Sequence, residues 1–202
     1  MFDALNHFLF SLINAAPGLA GWQLHGAIFA AEWVIMIVPL GLVLMWTNGA
    51  TVQREAAVRA FLAAVIALTL SKIIGLLWFY PRPFMVGIGQ TFLYHAPDSS
   101  FPSDHATSMF SVALGLVLCQ LREARRFGAA LLGLTVVVAW ARVFLGVHWP
   151  LDMVCALVVS SVAAVLANSR AGQALAASLV PLMQHVYRRV LAAPIARGWI
   201  RP

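Results

Sequence analysis

Residues 57–79 read AVRAFLAAVIALTLSKIIGLLWF, and this run decides the fold. A helix rises about 1.5 Å per residue, so about 20 mostly apolar residues cross the hydrocarbon of a bilayer. Four further runs meet that criterion, roughly 24–46, 105–121, 127–145 and 149–168. The expectation is an all-α, polytopic membrane helix bundle of five transmembrane helices, or six if 171–195 also spans. Interfacial helices are expected at both ends. Composition agrees: 62% of the 202 residues are hydrophobic and 10% are charged, and the mean hydropathy is +0.88. A soluble domain of this size is not so apolar.

The chain reads as one membrane-embedded domain, 1–202. Residues 1–16 (MFDALNHFLFSLINAA) are apolar but short and carry Asp3, Asn6 and His7, so they are expected to lie in the interface. They lack the basic region and cleavage site of a secretory signal peptide. Residues 171–202 form an amphipathic C-terminal segment, because Arg188 and Arg189 follow the apolar stretch closely. The net charge of +6 would invite nucleic acid in a soluble protein. Here the arginines gather between apolar runs and at the C-terminus, so topology explains them and no nucleic-acid partner is expected. The first Lys or Arg is Arg54. Arg122, Arg125 and Arg126 fill a later connection, and Arg170, Arg188, Arg189, Arg197 and Arg201 follow the last span. The positive-inside bias then sets the N-terminus outside and the C-terminus in the cytoplasm of a bacterial inner membrane. Loop 80–104 and the connection at 146–150 face outward together.

Three polar clusters lie at or near the ends of apolar runs on that outer side. Such residues are costly in or beside hydrocarbon and mark function. Pro150 suits a first helical turn, so His148 should sit at a helix mouth with Asp152 one turn in. A carboxylate there can fix the imidazole tautomer and leave the other nitrogen free to attack. Arg142 can grip a phosphate bidentately; equally, Arg142 and Asp152 could form an interfacial ion pair. In Pro102-Ser103-Asp104-His105, Ser103 or Asp104 would serve as an N-cap, with the cap favoured for Asp104. The same helix mouth offers N–H groups and a hydroxyl to an anion, and His105 can be a general acid. Lys72 and Arg82-Pro83 complete the set. Lys72 is either a snorkelling lysine or a phosphate-neutralising charge.

In order, Lys…Arg-Pro, Pro-Ser-x-His and Arg-x5-His-x3-Asp resemble the tripartite signature of the type-2 phosphatidic acid phosphatase superfamily. The resemblance covers roughly residues 70–155. It implies phosphohistidine chemistry with no metal or other cofactor. It makes His148 the nucleophile, Asp152 its orienting partner and His105 the general acid. Arg82, Ser103, Arg142 and Lys72 would hold the phosphate. Within the superfamily the chain looks most like the bacterial undecaprenyl-diphosphatase branch, on the strength of Pro81–Phe84, the run Ala96–His105 (APDSSFPSDH) and the Asn6-His7…Asn14 segment. A polyprenyl diphosphate lipid is then the expected substrate, and cell-wall carrier recycling the expected role.

Two departures stand out. Nine residues separate Lys72 from Arg82, more than in the family pattern, and Asp104 stands where the family often has Gly. Glu32, inside the first span, either orients a histidine or pairs with Arg82, Arg142 or Lys72, or else reaches water near the outer end. His95 and Asp98 could touch a diphosphate head group, with an exposed loop pair the expected outcome. Trp22, Trp33, Trp78 and Trp149 suit an outer aromatic belt. A relative acting on lipid A or phosphatidylglycerophosphate, or passing the phosphoryl group on, would share these motifs. A small transporter would spread ionisable residues through the membrane depth instead.

Overall fold

The computed structural model describes residues 2–202. The short α1 (Phe2–Ile13) precedes the first apolar run. That run is two helices, α2 (Gly21–Glu32) and α3 (Ile37–Asn48), with a 3₁₀ turn at Val34–Met36 between them. Pro39 has no amide hydrogen, and its ring crowds the carbonyl four residues back, so the regular ladder breaks there. Next come α4 (Thr51–Leu77), α5 (Asp104–Val117), α6 (Arg122–Phe144) and α7 (Pro150–Asn168). The amphipathic α8 (Arg170–Val190) and the single turn α9 (Ala192–Ala196) end the chain.

Among the described residues, four segments are long and apolar enough to cross a membrane: Gly21–Asn48, Thr51–Leu77, Arg122–Phe144 and Pro150–Asn168. The chain is a multi-pass helical membrane bundle. The segment expected as a further span, 105–121, is the 14-residue α5, about 21 Å long. It packs among α4, α6 and α7. Most of its residues from Ala106 to Leu116 are buried against those helices rather than facing lipid, so its length need not match the bilayer. α8 is not among the helices apolar enough to cross. It lays Ala176 and Val180 on Val58 of α4 and keeps the amphipathic character expected of it.

Lipid is as apolar as leucine, so helices in a membrane associate through close packing rather than through expulsion of water. The buried stripe of α4 is accordingly small: Ala56, Ala60, Ala63, Ala67 and Ser71. That of α7 includes Ala156, Ser160, Ala163 and Ala167. A Cβ on Gly115 of α5 would come within 3.1 Å of Ala60 Cα. One on Gly128 of α6 would sit 2.7 Å from the Ala113 carbonyl oxygen. Side-chain hydrogen bonds tie the helices further, Ser160 Oγ to the Thr107 carbonyl at 3.0 Å and Asn168 Nδ2 to the Gly115 carbonyl at 3.1 Å. Large residues such as Phe61, Trp140 and Val165 face outward instead.

Helices α4 to α7 alternate in direction. The C-terminal ends of α4 and α6 therefore meet the N-terminal ends of α5 and α7, and loop 80–103 covers that end. At the opposite end Arg54 is buried and donates to the carbonyls of Trp46, Arg201 and Pro202.

Candidate active site

His148 lies in the tight connection between α6 and α7 and is 1% exposed. Gly146, at φ +78°, makes the turn that delivers it. The Cβ direction there runs into the Gln90 carbonyl oxygen at 2.0 Å, so only glycine fits. Asp152 is one helical turn further along α7, with no exposure. Its Oδ2 accepts from the Trp149 backbone N–H at 2.8 Å and lies 3.1 Å from His148 Nδ1. The carboxylate thus caps α7 and orients the imidazole together.

The tautomer follows from the partners. Arg82 Nη1 is 3.0 Å from His148 Nε2. A guanidinium only donates, so Nε2 must accept, and the ring proton sits on Nδ1. Nδ1 faces two acceptors, the Ser100 carbonyl at 3.0 Å and Asp152 Oδ2. Burial, reinforced by the Arg142 and Arg82 charges, holds His148 well below the ordinary imidazole value, so the ring is neutral. A neutral imidazole with its lone pair on Nε2 is a competent nucleophile.

Arg82 is 4% exposed and well satisfied. Nε and Nη2 bind Asp98 at 2.9 and 2.8 Å, and Nη1 also donates to the Val147 carbonyl at 2.8 Å. Arg142 is different. It projects from the last turn of α6, is 1% exposed, and makes one long bond, Nη1 to the Ala31 carbonyl at 3.3 Å. Among the described residues its Nε and Nη2 have no partner, and neither does Ser103 Oγ. Buried donors are almost always paired, so these stand open to an acceptor; Thr107 Oγ1 and Asp152 Oδ1 are likewise buried without a partner among the described residues. His105, in the first turn of α5, is half-buried; burial, with Arg142 and His95 nearby, lowers its pKa to about 4, so it rests neutral near His148.

Several expectations change. Ser103 holds the N-cap position of α5 but makes no side-chain cap bond. Asp104 does not cap either; it pairs with Lys72 at 2.6 Å and accepts from Ser71 Oγ at 3.3 Å. Its place in the first helical turn aims the carboxylate sideways at α4 rather than back along its own axis. Lys72 is therefore committed to Asp104, in an exposed pair that lines a cavity of about 280 Å³ together with Gly75, Phe79, Ser99 and Pro102. Glu32 is exposed and forms no salt bridge among the described residues; it lies close enough to act on the Arg142 charge. His95 is drawn in rather than exposed, its ring centroid 6.0 Å from that of His148. Burial, with Arg82 and Arg142 nearby, lowers its pKa. Trp22, Trp33 and Trp78 are exposed as a belt requires, but Trp149 is 1% exposed and donates Nε1–H to the Pro81 carbonyl at 2.8 Å.

The motif pattern missed Ser100. It is fully buried, donates to Asp152 Oδ2, and presents its carbonyl to His148 Nδ1. The one signal for it was its place in the run APDSSFPSDH, next to the motif.

The sequence matches a known family. Residues 56–174 match the PAP2 superfamily, and the chain belongs to it. It is 43% identical over 201 residues, covering 100% of both chains, to the Escherichia coli protein named "Putative undecaprenyl-diphosphatase YbjG". It is 32% identical over 133 residues to undecaprenyl-diphosphatase BcrC of Bacillus subtilis, covering 66% of this chain and 67% of that one. Among solved structures, LpxE of Aquifex aeolicus superposes with a TM-score of 0.62 at 22% identity, over 80% of this chain and 93% of that one. A PAP2-type phosphatidylglycerolphosphate phosphatase from Bacillus subtilis gives 0.57 at 16% identity, over 82% and 83%. These two structures establish a shared fold.

Proposed function

We propose that the chain hydrolyses undecaprenyl diphosphate to undecaprenyl phosphate and inorganic phosphate on the outer face of a bacterial inner membrane, renewing the cell-wall carrier lipid. His148 Nε2 attacks the terminal phosphorus, and the anhydride P–O bond breaks. His105 takes up a proton when the diphosphate's negative charge enters and offsets Arg142, and gives that proton to the departing lipid phosphate. The imidazole is then a phosphorylated cation, and Asp152, accepting from Nδ1–H, offsets its charge. Water next attacks phosphorus, His105 takes the water's proton, and the P–N bond breaks to release phosphate. Arg142 and Ser103 supply the donors for the equatorial oxygens, with Arg82 beside the attacking nitrogen. Such preorganised donors are commonly the largest contribution to rate.

The observation that carries this reading is the set of buried donors on Arg142 and Ser103 that have no partner among the described residues, in a site whose histidine carries its lone pair on Nε2, where Arg82 alone donates to it. The substrate assignment is supported by the names of the Escherichia coli and Bacillus subtilis relatives. Outward orientation is supported by the bare N-terminus and the arginine-rich opposite end.

Phosphate release from undecaprenyl diphosphate by purified protein in detergent, with EDTA present, tests the reading. Lipid A and phosphatidylglycerophosphate serve as competitors. Release should persist under chelation, favour undecaprenyl diphosphate and vanish in His148→Ala. An acid-labile, alkali-stable phosphoenzyme should form in the wild type. Full activity in His148→Ala, or release abolished by EDTA, refutes the mechanism; a preference for another lipid refutes the substrate.

A further inference from the structure

We propose that Asn6 is a positioning residue for His148, and that α1 is a clamp holding the nucleophile's connection in register. The inference rests on the reading of His148 as nucleophile. α1 lies outside residues 56–174, so nothing in the family match assigns it a role.

Asn6 is fully buried in a helix whose other face is open. Leu5, Phe8 and Leu12 are 49%, 59% and 67% exposed, while Asn6 and Phe10 turn inward. A buried amide is costly unless it is bonded. Asn6 meets that condition at the mouth of α7. Its Oδ1 accepts from the Leu151 backbone N–H at 3.1 Å. That N–H is in the first turn of α7, where no intrahelical acceptor exists. Asp152 satisfies the neighbouring Trp149 N–H. Asn6 and Asp152 therefore share the capping of the helix that His148 precedes by two residues.

Other contacts of α1 fall on the same few residues. The His7 ring stacks on Trp149 at 4.8 Å between centroids, and Phe10 packs on it at 5.0 Å. Trp149 is bonded directly to His148. Asn6 Nδ2 is 3.4 Å from the Tyr80 hydroxyl, which in turn donates to Asp3 at 2.8 Å. Tyr80 and Pro81 lead into Arg82, the cation on Nε2. One short helix thus grips both chain segments that set the distance between His148 and Arg82. None of its side chains described here touches His148 itself, so the role is positioning rather than catalysis.

The test compares Asn6→Leu, Asn6→Gln and Asn6→Asp with wild type in detergent. It measures kcat, KM, melting temperature and backbone amide exchange. Asn6→Leu removes the acceptor, and Asn6→Gln displaces it by one methylene. Both should lower kcat about tenfold to a hundredfold, as a misplaced reacting group does. KM should stay near wild type, because Arg142 and Ser103 are untouched. Amide exchange over 148–152 should quicken while the rest of the bundle keeps its protection. Asn6→Asp keeps an acceptor at the same reach and should recover most of kcat. Wild-type kcat in both Asn6→Leu and Asn6→Gln, unchanged exchange over 148–152, or an Asp variant no better than Leu would each overturn the proposal. Loosening of the whole bundle in all three variants would do the same. If wild-type protein releases phosphate from no lipid, the phosphatase reading fails, and amide exchange still decides the clamp.

Discussion

Replacing Arg142 with methionine separates stability from activity. Removing a buried charge usually destabilises by leaving its partner stranded. Arg142 has no salt-bridge partner among the described residues, and its single bond, to the Ala31 carbonyl, is long at 3.3 Å. Two of its donors are already buried without acceptors. Methionine fills similar volume with nothing to satisfy, so R142M should melt at the wild-type temperature or above. Activity should move the other way. Two hydrogen bonds from a charged donor to a transition-state oxygen are worth about 1.5–3 kcal/mol each. Their loss sums to about 3–6 kcal/mol, or roughly a hundredfold to ten-thousandfold in kcat/KM. The assay pairs phosphate release from undecaprenyl diphosphate with a thermal melt in the same detergent. If R142M melts well below wild type, the guanidinium has native partners and the site is not awaiting an anion. If kcat/KM falls less than tenfold, Arg142 does not hold the transferred phosphate.

Acidification supplies a second check. His148 titrates well below its ordinary value of 6.5 in the folded state, chiefly through burial, so the unfolded chain binds more protons as pH falls past about 6.5. Stability is then present above that value and lost below it, and the melting temperature should drop on acidification less steeply in His148→Asn than in wild type; equal slopes would sink the assignment. Gly128→Ala drives a methyl toward the Ala113 carbonyl and should cost about 1–3 kcal/mol, seen as a melting point several degrees lower with kcat intact once folded. An unchanged melt would mean that α5 and α6 are not in close contact there. Lys72→Gln breaks an exposed pair of the kind worth about 0–1 kcal/mol, so kcat/KM should stay within about tenfold of wild type; a larger loss would return Lys72 to the phosphate site.

The bundle was legible because apolar runs of spanning length dominate the chain, and lipid imposes helix on any such run. The ends of α7 were legible from Pro150 and Asp152, whose chemistry is local. What could not be read was which face each side chain takes when lipid, not water, lies outside. Trp149 has the composition of a belt residue, yet it is walled in by α1 and loop 80–103. Asn6 looked like an interfacial polar residue, yet it is the buried face of its helix. Loop 80–103 has no periodicity, so nothing local tells Ser100, turned toward Asp152, from Ser99, whose hydroxyl donates to the Phe101 carbonyl.

The two departures from the family pattern prove to be one feature. Lys72 stands further from Arg82 than the pattern allows, and Asp104 adds a carboxylate beside an anion site. Taken separately, one removes a cation and the other introduces repulsion. In the fold they meet at 2.6 Å and offset each other at the mouth of α5. Arg82 is likewise balanced by Asp98. Among the described site residues, Arg142 is left as the cation without a salt bridge. On the proposed reading, the attraction for an anion therefore converges on the Arg142 guanidinium, with the hydroxyl of Ser103 as its neutral partner.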